Sequence, residues 1–320
     1  MTRRGVTVAV ASAALLAALA GGAVWLLKGE QPYDPAFETR VEEPAYPGGG
    51  PVVLYDEGHR NIHTTTTGYK PLADLLRGDG YTVRVSRQPL SAATLEGVSV
   101  LLLVVPRGAN ETEDGAAYPE DEAGAIETWV RGGGALLLVA DHWPFGAALA
   151  PLAKRFGIDL SAGMTQDPAQ HDPERGDSHL VFSDENRLLL DHPIVRGRKE
   201  AERVRKVLTF TGTSLRGPAG AVPFLSLSDA ATDRPPGTPR VTRDGSDVRI
   251  EMNYGEPVGA AGRAQGLALT FGAGRVVVLA DAGMLRAQRP RGDPPVGMNV
   301  RAYDNRQLAL NIAHWLSRAL

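Results

Sequence analysis

Three apolar runs of strand length constrain this chain more than anything else in it. Val52-Val53-Leu54-Tyr55, the stretch from Ser99 to Val105, and Ala135-Leu136-Leu137-Leu138-Val139 lack the polar alternation of a strand with one wet face, so each must be covered on both sides. Helical patterns stand between them. Tyr69, Leu72, Leu75 and Leu76 keep helical spacing until Gly78 and Gly80 stop them, and Tyr81-Thr82-Val83-Arg84-Val85 then alternates as a strand does. A helix is predicted from Pro119 to Arg131, with acids at its start and Arg131 at its end to suit the helix dipole. Parallel strands need crossovers, and crossover helices bury the sheet they connect. The predicted fold class is therefore α/β, a doubly wound and mostly parallel sheet.

The second half reads differently. A helix at about Phe145 to Phe156 precedes a polar stretch, Ser161 to Ser178. Its Gln166, Asp167, His171, Asp172, Glu174 and Asp177 are ill-suited to a core and predict a surface insertion at about 161–179. Strands are expected at Val222–Leu227, Val241–Thr242, Val248–Met252, Leu267–Phe271 and Arg275–Leu279, with hairpin turns at Asp244-Gly245 and Gly272-Ala273-Gly274. A last helix follows Asp304, read as its cap with Gln307 three residues on, and Leu308, Ile312, Trp315 and Leu316 form its apolar stripe.

At the start, Gly5 to Leu27 is 23 residues without a charge, bounded by Arg3-Arg4 and Lys28. As a helix it would be about 34 Å long, enough to cross a bilayer and longer than the apolar part of a signal peptide. A transmembrane anchor is favoured over a signal segment cut near Ala18-Leu19-Ala20. The excess of positive charge before the segment predicts a single pass through the cell membrane, with a cytoplasmic N-terminus and an extracytoplasmic body. Pro32, Pro35, Pro44, Pro47 and Pro51 with Gly48-Gly49-Gly50 block regular ladders and predict a tether. The expected organisation is an anchor or signal over 1–28, a tether over 29–50 and a folded body over 51–320.

Composition removes several function classes. The 34 Lys+Arg and 37 Asp+Glu leave a net charge of −3, which gives no electrostatic footing for nucleic acid. The absence of cysteine excludes disulfides, thiolate metal sites and every Cys nucleophile. Neither a Gly-x-Ser-x-Gly elbow nor a nucleotide-binding glycine fingerprint occurs.

In an open α/β sheet, ligands bind beyond the carboxyl ends of the strands. Asp56, Glu57, His59, Asn61 and His63 follow the first strand, Asp141 and His142 follow the Ala135 run, and Asp281 follows the strand ending near Ala280. Three uses suit this group: ligation of a divalent metal, general acid–base chemistry, or acceptance of buried main-chain amides at loop turns. Asp56, His59, His63, Asp141 and His142 are the candidate ligands for zinc or manganese. Glu57 and Asp281 are the candidate bases for a bound water. Thr64 to Thr67 read as helix caps.

These residues carry a resemblance. The orders Tyr55-Asp56-Glu57-Gly58-His59-x-Asn61-x-His63-Thr64 and Val139-Ala140-Asp141-His142-x-Pro144-Phe145 resemble a bacterial domain-of-unknown-function family of the class I glutamine-amidotransferase-like superfamily. Asp191-His192-Pro193-Ile194, Thr209-Phe210-Thr211-Gly212, Gly274-Arg275-Val276-Val277 and Asp304-Asn305-Arg306-Gln307 agree with it, so the match covers about residues 51 to 318. The resemblance implies a flavodoxin-like sheet, often behind an N-terminal signal or anchor, and no established activity. Amidotransferases of the superfamily use a catalytic Cys, which this chain lacks. Two functions follow as expectations. One is a metal-assisted hydrolase of an envelope substrate; the other is a non-catalytic module that binds a ligand or an envelope or transport-associated protein partner.

Overall fold

Each apolar run becomes a strand whose successive side chains enter opposite cores. In the computed structural model, which describes residues 22–25, 33–108, 115–237, 240–244, 247–290 and 294–320, the first run is β1 (Val52–Asp56). It is followed by α1 (Lys70–Gly78), β2 (Thr82–Ser86), β3 (Val100–Val104), α2 (Glu120–Arg131) and β4 (Ala135–Val139). Val53, Tyr55, Leu102, Val104, Leu137 and Val139 face one core; Leu54, Leu101, Leu103, Leu136 and Leu138 face the other. That two-sided burial is why the runs carry no polar alternation.

The rest of the central sheet comes from the second half: β5 (Asp159–Leu160), β6 (Leu215–Arg216), β7 (Val222–Ser226), β8 (Ala264–Phe271) and β9 (Gly274–Leu279). The order is β2-β1-β3-β4-β9-β8-β6-β5, with β7 also along β8. β2, β1, β3, β4 and β9 run parallel. β8 turns back on β9 through a hairpin, and β5, β6 and β7 pair antiparallel. Gly272 makes that hairpin possible: its φ is +60°, and a Cβ there would stand 2.5 Å from the Arg131 carbonyl oxygen. The expected hairpin across Asp244 is also present, as Arg240–Asp244 against Asp247–Asn253.

Helices cover both faces. α1 sends Leu72, Leu75 and Leu76 into the same core as Leu308, Ile312, Trp315 and Leu316 of α4 (Asn305–Leu316). On the other face, Ile126 and Val130 of α2 pack with Leu152 and Ala153 of α3 (Ala150–Arg155). Burying a leucine of this kind contributes about 1.5 to 3 kcal/mol.

Four expectations change. From Tyr33 onward the expected tether is strapped to the domain: Asp34 N–H donates to Ala287 O at 2.7 Å, Gly50 N–H to Gly80 O at 2.8 Å, and Phe37, Val41 and Tyr46 pack on the core. Prolines prevent ladders there, but they do not prevent docking. The polar stretch at 161–179 is woven in rather than inserted on the surface. Met164–Gln166 pairs with Thr232–Arg234, Thr165 and Asp167 are fully buried, and Asp167 accepts the Ala169 and Gln170 amides at 2.9 and 3.0 Å. Asp304 makes no capping bond to α4; it accepts Arg205 and Lys206 amides across the domain at 2.8 and 3.0 Å. Finally, Gly22–Trp25 runs as a strand antiparallel to Asp247–Asn253, so these four residues do not continue a helix to Leu27. Residues 1–21 and 26–28, the remainder of the expected anchor, lie outside the described residues. Among the described residues no helix is long and apolar enough to cross a membrane.

Candidate functional site

The carboxyl ends of β1, β4 and β9 deliver Asp56, Asp141 and Asp281 to one edge of the sheet. Their carboxylates are engaged by main-chain amides. Gly58 N–H donates to Asp56 at 3.0 Å, His142 N–H and Ala282 N–H donate to the two oxygens of Asp141 at 2.7 and 3.1 Å, and Met284 N–H donates to Asp281 at 2.7 Å. Phe210 N–H donates to the other Asp281 oxygen. Loops that leave a sheet edge expose amides, and a buried amide without a partner is costly.

Asp56 is also the floor of a closed nest. Tyr118 Oη donates to its Oδ2 at 2.8 Å, and His59 Nδ1 lies 2.9 Å from both carboxylate oxygens. The far nitrogen of the same ring, Nε2, lies 3.1 Å from Glu122 Oε2 in the first turn of α2. Carboxylates only accept, so both ring nitrogens donate and His59 is an imidazolium between two acids. Burial pulls its pKa down, but the bond to Asp56 and the charges of Asp56 and Glu122 outweigh that and raise it above the ordinary histidine value. Glu122 accepts the Leu90 amide as well.

Asp141 and Asp281 form a second group. Burial pushes Asp141 up to about 7 and Asp281 up to about 8, with the charge of Asp141 adding to the effect on Asp281. His142 is buried beside them, and burial lowers its pKa to about 4. Its Nδ1 lies 2.9 Å from Trp143 O and 3.0 Å from Tyr254 Oη. Because Tyr254 Oη donates to Trp143 O at 3.1 Å, the neutral ring with its proton on Nδ1 fits this triangle.

His63 and Arg286 are different. The His63 ring stacks on Tyr69 with centroids 5.3 Å apart and an interplanar angle of 15°. Tyr69 is fixed by its hydroxyl, which donates to Ala282 O at 2.8 Å. Neither His63 ring nitrogen makes a hydrogen bond within the described residues, and burial, reinforced by the Arg286 charge, holds its pKa well below the ordinary value. Arg286 makes neither a side-chain hydrogen bond nor an ion pair among the described residues, and its Nε is sealed from solvent without a partner. Burial pushes Arg286 down to about 10. Gly68 lies against both groups: a Cβ there would be 2.8 Å from His63 Nδ1 and 3.4 Å from Arg286 Nε.

The five candidate metal ligands are thus divided. Asp56 and His59 share the nest, His63 stands on Tyr69, and Asp141 and His142 belong to the acid pair. Among the described residues no group of three or more His, Asp or Glu side chains has the arrangement to hold a metal ion. Glu57, a candidate base, accepts Thr65 N–H and Oγ1 at 2.8 and 2.7 Å and pairs with Arg87 at 2.6 Å. The Thr64 and Thr67 side chains bond each other, Oγ1 to Oγ1 at 2.9 Å, and no side chain caps the start of α1. An open groove of about 350 Å³ lies at the opposite, amino-terminal edge of the sheet, lined by residues that include Pro51, Ser99, Trp129 and Arg318, with none of these acids or histidines in its wall.

Comparison with known protein families matches residues 62–313 to a family described as a domain of unknown function, DUF4350. The chain belongs to the DUF4350 family. Among solved structures, this DUF4350 chain is similar to the mmIFT52 N-terminal domain at 16% identity, covering 83% of this chain and 97% of that one with a TM-score of 0.57. That likeness concerns the fold alone. A cytoplasmic protein from Salmonella typhimurium LT2 is 12% identical over 83% of this chain and 98% of its own, with a TM-score of 0.47. A ThuA-like protein from Bacteroides uniformis is 14% identical over 88% and 95%, with a TM-score of 0.42. No curated protein matches the chain.

Three groups of the DUF4350 site were not singled out in its sequence. Glu122 reads there as an ordinary acid of a helix's first turn, and Tyr118 sits in the polar approach to that helix. Arg286 left a usable signal, as the lone charge in Ala282-Gly283-Met284-Leu285-Arg286-Ala287.

Proposed function

We propose that the folded body is an amidotransferase-like, non-catalytic binding module, whose sheet-edge acids brace loops instead of carrying out a reaction. The observation that supports this reading is the engagement of the Asp56, Asp141 and Asp281 carboxylates by main-chain amides. A metal-assisted hydrolase needs ligands with lone pairs aimed at one point, and His59 has both nitrogens occupied by carboxylates. Glutamine hydrolysis through a cysteine is closed to a chain without one.

The module is placed outside the cell membrane in this proposal. Its support is the uncharged stretch from Gly5 to Leu27, of which the residues Gly5 to Gly21 precede the strand at Gly22–Trp25 in the sequence. That is the short end of the roughly 17 to 25 residues that span a bilayer. External protease on intact cells should cut the body; full protection of the body would remove this placement.

The test of the binding reading is metal analysis of the full purified chain together with its His59→Ala variant. Wild-type protein loaded with zinc or manganese and dialysed should retain less than stoichiometric metal. One tightly held ion per chain, lost in His59→Ala, would replace the module with a metalloenzyme.

A further inference from the structure

We propose that the Arg286 and His63 side chains, brought together over Gly68, form the subsite for a compact oxyanion, a carboxylate or phosphate group of the module's ligand. The proposal rests on the binding-module reading and names the chemistry of what is bound.

Arg286 presents a planar fork of N–H donors, the geometry that matches carboxylate and phosphate oxygens in pairs. Nothing in the described protein uses that fork. The two nearest acids act on Arg286 through their charge, yet their oxygens are held by His142, Ala282, Phe210 and Met284 amides and reach it with no ion pair. A largely enclosed guanidinium without a partner is costly to keep. Arginines inside folded domains are otherwise paired, as Arg263 is here with Asp159 at 2.7 Å and with Ser214.

His63 completes the recognition. The stack on Tyr69 fixes the plane of its ring, and a neutral imidazole keeps one N–H to donate. The Gly68 position puts His63 Nδ1 and Arg286 Nε within about 6 Å of one another, and any side chain there would cover both nitrogens. Both residues are half-buried, and although Arg286 Nε is sealed, the ends of the guanidinium fork and the His63 ring nitrogens are not, so a ligand approaches through those atoms. A cationic fork beside a neutral N–H donor selects a negative group with several oxygens over a cation or an apolar group. The raised acids behind it lessen the competing negative charge near neutral pH.

The experiment is calorimetric titration of the full chain in detergent with inorganic phosphate and, separately, with acetate. The proposal expects saturable binding of at least one anion, weakened about tenfold or more by Arg286→Met and by Gly68→Ala, and unchanged by Arg301→Gln at an exposed position. Saturation by acetate alone assigns a carboxylate, and by phosphate alone a phosphate. Gly68→Ala decides the matter if Arg286→Met does not fold, since the glycine has no left-handed φ to lose. Absence of saturable binding to the folded wild type, or equal binding by wild type and Gly68→Ala, overturns the proposal. Such a result without stoichiometric metal leaves the binding-module reading standing, whereas one metal ion per chain removes that reading whatever the anions do.

Discussion

His59 and His63 are four residues apart in one loop, and the structure treats them in opposite ways. His59 is closed between Asp56 and Glu122 and lies against Tyr118, with ring centroids 4.3 Å apart and the planes tilted by 45°. Among the described residues the His63 ring has an aromatic platform and no hydrogen bond, and it shares Gly68 with a guanidinium that has none either. A histidine with both nitrogens engaged by carboxylates has spent its chemistry on the fold. One held rigidly with its nitrogens unengaged is available to something else. The contrast separates bracing from binding more sharply than the residue types do, because the two imidazoles are chemically identical before folding.

The largest effect expected from breaking the nest is Asp56→Ala. It strands an imidazolium and the Tyr118 hydroxyl in the interior, and urea unfolding should show a loss of about 3 to 5 kcal/mol. A loss under about 1 kcal/mol would mean the nest is not bracing the fold.

Next in size is the dependence on pH. The pKa of His59 is raised in the folded state, so its stabilisation is complete below the unfolded histidine value, about 6.5, and is lost as pH rises through the folded one. Asp141 and Asp281, raised to about 7 and 8, work in the same direction. Above about pH 6.5 the unfolded acids are ionised while the folded ones still hold protons, so the folded state binds more protons and stability falls with pH up to about pH 8. Below about pH 6.5 the buried neutral His63 and His142 bind fewer protons folded than unfolded and oppose that fall. Each such proton contributes up to about 1.4 kcal/mol per pH unit. Unfolding midpoints measured from pH 7 to 9 should decline, and Asp281→Asn should flatten the part of the curve below pH 8. An unchanged slope in that variant would show that the acid pair ionises normally.

Tyr118→Phe removes one bond to a charged acceptor and leaves the ring packing, so a loss of about 1.5 kcal/mol is expected by the same unfolding measurement. At the binding side the sign reverses. Arg286→Met keeps the apolar stem and deletes an unpartnered guanidinium, so without anion the variant should be as stable as wild type or more so, by up to about 1 kcal/mol. A loss of about 2 kcal/mol or more would mean that Arg286 is a brace like His59. The smallest change is expected for His63→Leu, within about 1 kcal/mol of wild type, because no hydrogen bond is broken.

Much of the fold was legible before any coordinates. The runs at Val52, Val100 and Ala135 are parallel strands because only covered strands can be apolar on both faces. The stripe Leu308, Ile312, Trp315 and Leu316 is the buried face of α4. Less legible was what irregular chain does. Prolines and acids at 33–50 and 161–179 look solvated one residue at a time, while Asp34, Asp167 and Asp172 are buried because each meets amides or hydroxyls from chain that is distant or turned back on itself.

The amino-acid order by itself determined the layers of this protein and the edge of the sheet where its polar groups gather. Periodicity and strand-end position are local properties, written within a few residues of each other. Only the tertiary structure decided which polar groups are consumed and which stay available. Glu122 reaches His59 across 63 positions, and Arg286 meets Gly68 from beyond the end of β9, three strands away from β1 in the sheet. Satisfaction of a hydrogen-bonding group depends on distances between such remote segments, and no local pattern encodes them.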